Sequence, residues 1–185
     1  MYTKVNLVRH AHSTYTPDEY GRPLSEKGLK DAEMVTDRLA KEKIDIVYAS
    51  PYKRAIQTVE GIAQAFDFQM VIEPGFKERK LAGQTAADFS AAMEQVWSDP
   101  AFSFPGGESN QMAQKRGAAS LQQVIKQHQG QGIVIGTHGN IMVLMMNYFD
   151  AQYDFGFWQQ LTMPDIYQLT FQEQELVGVK RLWRG

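Results

Sequence analysis

Three short apolar runs, KVNLV (residues 4–8), IDIVYAS (44–50) and GIVIGTH (132–138), lie far apart in this 185-residue chain, with helical periodicities between them. That alternation constrains the fold most. A strand buried on both faces reads as a continuous apolar run, and such strands separated by helices build a largely parallel sheet covered on both sides. The expected architecture is therefore three-layer α/β/α around a mostly parallel central sheet.

The intervening segments fill in this plan. After the Gly21-Arg22-Pro23 turn, Leu29, Ala32, Val35, Leu39 and Ala40 recur at helical spacing and predict a helix from about Ser25 to Lys43. Ser50-Pro51 reads as an N-cap followed by proline at the first helical position. The helix it opens carries Ala55, Ile56, Val59, Ile62, Ala63 and Phe66 on one face. QMVIEP predicts a third strand, and a helix is expected around Ala86 to Trp97. The rest of residues 75–108, including SDPAFSFPGGES, has the composition of a loop or lid. A long helix is expected from about Ser109 to His128, and NIMVLMMNYF forms another behind GIVIGTH, with Met142, Met145 and Met146 as packing residues. The tail, DIYQLTF then LVGVKRLW, alternates like a hairpin turning near Glu173-Gln174-Glu175.

Composition excludes several classes. The 185 residues suit a single domain, 1–185. A net charge of −2 supplies no bulk attraction to nucleic acid or anionic lipid. No run approaches the ~18 apolar residues of a membrane span. With no cysteine there is neither a disulfide nor a thiolate metal site. The first residues lack a signal-peptide profile, so the expected location is cytoplasmic. Monomer and homodimer both stay open.

Parallel sheets place ligands at the carboxyl ends of their strands. There the chain puts Arg9 and His10 after the first strand, Ser50 and Arg54 after the second, and Thr137, His138 and Gly139 after GIVIGTH. Two chemistries compete for this set. His10 and His12, two apart on an extended chain, point the same way and could share a metal. A metal centre needs further ligands, however, and the only other histidines are His138 and His128, the latter in the polar KQHQGQG. The alternative is phosphoryl transfer. Two guanidiniums present forks of donors that match phosphate oxygens. A neutral imidazole can attack phosphorus, and a second histidine with backbone N–H groups can stabilise the equatorial oxygens. The leaving alkoxide needs a proton, and Glu78 and Glu108 are candidate acids in the irregular segment above that edge. This reading needs no metal and no cofactor, and it makes His12 either a pocket-rim group or one that supports the pocket residues from behind.

LVRHAHS, RPLSEKGLKDA, ASPYKRAIQT, KERKLAG, GGES and GTHGN, in this order from Leu7 to Asn140, resemble the motifs of the histidine phosphatase superfamily, also called phosphoglycerate mutase-like. The resemblance implies that His10 is the phosphorylated nucleophile and that Arg9, Arg54 and His138 form the phosphate pocket. It further implies that Glu78 protonates the leaving group and later activates water. Gly139, Ser13, Thr16 and Arg22 complete the candidate phosphate- and substrate-binding set, and Arg22 and Lys80 are cations placed to meet a second anionic group. Ala11 stands where glycine is commonest in the family, His12 where many members have glutamate or glutamine, and Thr16 where many have asparagine. The expected activity is hydrolysis of a small phosphorylated metabolite. The alternatives are phosphoglycerate mutase-type transfer, a phosphohistidine phosphatase, and a non-catalytic phosphate-binding module. Glu78 and GGES favour monoesters over phosphohistidine, whose nitrogen leaves more easily. Glu108 with Ser109 either begins the long helix or meets substrate. Trp97, Phe102 and Phe104 either line an apolar pocket or fasten the lid.

Overall fold

A computed structural model describes residues 1–185. In chain order its elements are β1 (Tyr2–Arg9), α1 (Glu26–Leu39), β2 (Ile46–Ala49), α2 (Lys53–Ala65), β3 (Met70–Ile72), a 3₁₀ turn (Pro74–Phe76), α3 (Phe89–Ser98), α4 (Asn110–Gln127), β4 (Gly132–Thr137), α5 (Gly139–Phe149), α6 (Phe155–Gln159), β5 (Asp165–Gln172) and β6 (Glu175–Arg181). They form one six-stranded sheet in the order β3-β2-β4-β1-β5-β6. The first four strands of that order are parallel, whereas β5 runs antiparallel to β1 and β6 antiparallel to β5.

The period-2 alternation of strand side chains separates two cores. Val5 and Leu7 of β1, Tyr48 of β2 and Ile133 and Ile135 of β4 share one face with Leu121 and Ile125 of α4 and Ile141, Met142, Met145 and Met146 of α5. Val8, Val47, Ala49 and Val134 point to the other face, against Val35 and Leu39 of α1 and Val59 and Ile62 of α2. The sheet is thus covered on both sides. Gly136 allows α2 to approach β4 closely, since a Cβ there would stand 2.8 Å from both Ala55 O and a Val59 methyl. No helix is long and apolar enough to cross a membrane.

Local chemistry corrects several expected boundaries. α1 is capped by Ser25, whose hydroxyl accepts from Gly28 N, but it stops at Leu39 instead of reaching Lys43. The Glu42 amide turns back to Leu39 O, and the chain then sinks Ile44 into the core. α2 begins at Lys53 with Tyr52 as its N-cap and no side-chain cap, so Ser50 is not the capping residue. The expected 86–97 helix is α3, opened by Asp88, whose carboxylate accepts from Ala91 N. The five-residue α6 was not anticipated; it is too short to show a period, and only Asp154, capping Phe157 N, marks its start.

Candidate active site

The parallel register lines up three strand ends. Arg9 lies opposite Thr137, and the next amide of each neighbouring strand continues the ladder: His10 N bonds Thr137 O at 3.0 Å and Ser50 N bonds Gly136 O at 2.8 Å. His10, Ser50 and His138 therefore leave the sheet together.

His10 is 8% exposed. Its Nδ1 lies 2.7 Å from Ala11 O. A carbonyl can only accept, so Nδ1 carries the proton and Nε2 keeps its lone pair. Burial, opposed in part by that bond to Ala11 and reinforced by Arg54, Arg9 and Arg22, lowers the His10 pKa to about 3. The ring is neutral at physiological pH, as a nucleophile needs to be. Ala11 itself is buried with Leu24 and Ala32, so the methyl found in place of glycine fills a small apolar cluster. Its N–H donates to Thr58 Oγ1 at 3.0 Å, joining the turn that carries His10 to α2.

His138 is wholly buried, its ring 5.2 Å from that of His10. Its Nε2 lies 2.8 Å from Ser50 Oγ, which also accepts from Tyr52 N at 3.3 Å. The hydroxyl keeps its own hydrogen and can give it to Nε2. In the tautomer where Nε2 accepts that hydrogen, Nδ1 is the N–H, and Nδ1 has no protein partner. Burial first, then His10 and the arginines, hold the His138 pKa well below its ordinary value. An imidazole with an unpartnered ring nitrogen thus stands beside His10.

The two arginines are anchored differently. Arg54, 4% exposed, donates from Nε to His10 Nε2 at 3.3 Å. Its Nη1 donates to Glu19 O at 2.8 Å and its Nη2 to Glu19 Oε2 at 3.2 Å. Arg9 donates from Nη1 to Leu161 O and Thr162 O at 3.4 and 3.2 Å, while its buried Nε is unpaired. Burial lowers the pKa of both groups, with Glu78 and Asp165 opposing the shift at Arg9 and Glu19 opposing it at Arg54. A guanidinium stays charged even so. Gly139 makes the Arg9 pose possible, because a Cβ there would lie 2.9 Å from Arg9 Nε and 3.0 Å from Cζ. Asp165, fully buried and paired with Arg181 at 2.9 Å, accepts from Thr162 N and so fixes the loop that receives Arg9.

Glu78 is joined to the same site. Its Oε2 accepts from Asn140 N at 3.0 Å, and its Oε1 accepts from Ile141 N at 2.9 Å and Arg79 N at 2.8 Å. The carboxylate thus caps the first turn of α5, two residues beyond His138. Glu108 is engaged otherwise, in a bidentate pair with Arg116.

The remaining candidates sit further out. Arg22 pairs with Glu19 and lies 4.9 Å from the Tyr15 ring, so Glu19 bridges Arg22 and Arg54. Thr16 donates to Asp18 O within its own turn, and Ser13 forms an isolated bridge with Leu24. His12 Nδ1 lies 2.8 Å from Ser25 Oγ, at the start of α1. His128 bonds Tyr48 OH at 2.9 Å and Gln131 Oε1 at 2.7 Å, behind the start of β4. The two are thus occupied in different places, and no group of three or more His, Asp or Glu side chains has metal-binding spacing. Trp97 fastens the lid through Asn140 Oδ1 at 3.0 Å. Phe102 and Phe104 instead line a groove of about 940 Å³ inside the lid segment with Ala82, Ala86 and Ala87, apart from the histidines.

Sequence reading missed three neighbours. The Tyr52 ring lies 4.9 Å from that of His138 and 4.8 Å from Arg54 Cζ. Glu19 was only one acid in a polar loop. Arg79, 5% exposed beside Glu78, has unpaired Nε and Nη1 atoms. Only the adjacency of Tyr52 and Arg79 to motif residues hinted at them.

The chain is similar to several known proteins. Phosphoserine phosphatase 1 of Hydrogenobacter thermophilus is 30% identical over 150 residues, covering 73% of this chain and 70% of its own. A metal-independent phosphoserine phosphatase of Arabidopsis thaliana is 31% identical over 156 residues, covering 76% and 66%. A solved phosphoserine phosphatase of Entamoeba histolytica, in complex with phosphoserine, superposes with a TM-score of 0.80 at 21% identity over 97% of this chain and 96% of its own, a likeness of fold. Residues 5–181 match the sequence model of the histidine phosphatase superfamily, branch 1, and the chain belongs to that family.

Proposed function

We propose that this protein hydrolyses small phosphate monoesters through a phosphohistidine on His10, and that phosphoserine-like esters are the substrates to try first. One observation carries the reading: a buried neutral imidazole, its Nδ1–H fixed on Ala11 O, meets two arginines and lies beside the unpartnered Nδ1 of His138. The names of the relatives support the substrate class.

In this mechanism the phosphoryl group enters between Arg9, Arg54 and His138, and Arg54 Nε leaves His10 Nε2 for a phosphate oxygen. Nε2 attacks phosphorus as the P–O bond to the alkoxide breaks. Ala11 O stabilises the charge that develops on the ring, and His138 Nδ1–H bonds an equatorial oxygen. Glu78, protonated for this step and turned from at least one of its amides, gives that proton to the alkoxide and becomes the carboxylate. It then takes a proton from water, whose oxygen attacks phosphorus and releases His10 and inorganic phosphate.

The test combines O-phospho-L-serine and p-nitrophenyl phosphate turnover with trapping of the intermediate. Wild type should release inorganic phosphate and form an acid-labile, base-stable phosphoenzyme, and a folded His10→Ala variant should do neither. Full turnover by that variant would overturn the assignment, and phosphoryl transfer between substrates without phosphate release would mark a mutase.

A further inference from the structure

Resting on the reading of Glu78 as the acid, we propose that Arg116, held by Glu108, is the positioning residue that fixes Glu78 for proton transfer. Arg116 lies in the second turn of α4, outside the phosphate pocket, yet its guanidinium reaches three places. Nε and Nη2 donate to the two oxygens of Glu108 at 3.0 and 2.8 Å. Nη1 donates to Gly75 O at 2.7 Å and to Lys77 O at 3.0 Å. Lys77 immediately precedes Glu78. On the other side, Glu108 N bonds Lys80 O at 2.7 Å. The Arg116–Glu108 pair therefore grips the chain both before and after the acid. Thr137, at the end of β4, adds a third hold through its hydroxyl on Phe76 O at 2.8 Å.

The carbonyls of residues 75, 76, 77 and 80 are thus all engaged by this support, while the Glu78 carboxyl bonds only the backbone amides of Arg79, Asn140 and Ile141. A rigid loop with a carboxyl able to turn is what a group acting first as acid and then as base requires. The side chains of Arg116 and Glu108 are 22% and 20% exposed, which keeps the pair largely out of competition with water. The planar fork matters as well. Lysine has no arrangement of donors that satisfies two carboxylate oxygens and two carbonyls at once. Glu108, one of the two acids singled out in the sequence, acts here through Arg116 and not on substrate.

The test is leaving-group dependence in single-turnover phosphorylation of His10. Arg116→Met should slow the reaction of O-phospho-L-serine by about 10–100-fold, the scale of a misplaced catalytic group. It should slow p-nitrophenyl phosphate, whose leaving group needs no proton, by less than about 3-fold. Arg116→Lys should show the same pattern more weakly, and serves if Arg116→Met does not fold. In a Glu78→Gln background neither Arg116 variant should cost anything further on O-phospho-L-serine. Equal losses on both substrates, or a full Arg116 effect persisting without Glu78, would overturn the brace alone. A Glu78→Gln variant with no leaving-group dependence would overturn the acid role and the brace together.

Discussion

Replacing Gly139 by alanine separates the folding role of this position from its role in the site. The new Cβ would stand 2.9 Å from Arg9 Nε and 3.0 Å from Cζ. Ordinary contact between such atoms begins near 3.5 Å, so the guanidinium must retreat by roughly 0.5 Å or more. Arg9 is the flexible partner: its Nη1 bonds to Leu161 O and Thr162 O are 3.4 and 3.2 Å long, and its Nε has no protein partner. The backbone should therefore stay in place while the arginine gives way. In the first turn of α5, alanine also loses less conformational entropy than glycine, by up to about 1 kcal/mol in a helix interior. The melting temperature should thus be unchanged or slightly higher. Catalysis should suffer, since a misplacement approaching 1 Å costs about 10²-fold and half that about tenfold. The expected loss in kcat/KM is about 10–100-fold, or roughly 1.4–2.7 kcal/mol of transition-state stabilisation. Steady-state kinetics on p-nitrophenyl phosphate, vanadate inhibition and thermal melting on one preparation measure all three. Wild-type kcat/KM with wild-type vanadate affinity would refute the argument, and a large fall in melting temperature would show that the backbone had yielded instead.

Acid should destabilise the fold through the two buried histidines. Their folded pKa values are depressed below the ordinary 6.5, to about 3 for His10. The unfolded chain therefore binds more protons between these limits, so stability is complete above pH 6.5 and is lost as pH falls toward 3. Each histidine contributes up to about 1.4 kcal/mol per pH unit; denaturant melts from pH 4.5 to 6.5 should be shallower for His10→Gln, and an unchanged slope counts against the burial argument. Ser50→Ala removes the hydroxyl that orients His138 and should cost about 5–10-fold in kcat/KM, the worth of one buried hydrogen bond near 1 kcal/mol, with KM little changed; a purely structural serine would lower the melting temperature and leave kcat/KM alone. Dialysis against EDTA should leave turnover intact, because the charged phosphate is met by Arg9 and Arg54; activity lost on dialysis and restored by a stoichiometric metal would contradict the mechanism.

The apolar runs KVNLV and GIVIGTH, and the residues that follow them, announced both the strands and the edge on which Arg9, His10 and His138 meet. Periodicity could report this because these strands are buried on both faces, whereas α1, α2 and α4 each bury one. What stayed hidden depends on tertiary partners. Ser50 before Pro51 has the chemistry of an N-cap, but the ring of His138 takes its hydroxyl, and α2 starts without a side-chain cap. The pairing of Glu108 with Arg116 spans two helical turns and depends on how α4 meets the lid, which no local pattern encodes. Glu19 meets Arg54 only because its loop folds over the start of α2.

The strand that carries Arg9 and His10 sits between β4 and β5, so its partners lie at residues 132–137 and 165–172. At roughly 5–20 residues per second, a ribosome needs several seconds to tens of seconds to complete that span. For all this time the apolar face of β1 has no neighbour to pair with, whereas β2 and β3 can meet early. Non-local pairings of this kind raise the entropic barrier to folding and slow it. The cluster of Arg9, His10 and His138 consequently comes into being only with the final third of the chain, and a nascent or truncated chain exposes an unpaired strand where the finished protein carries His10.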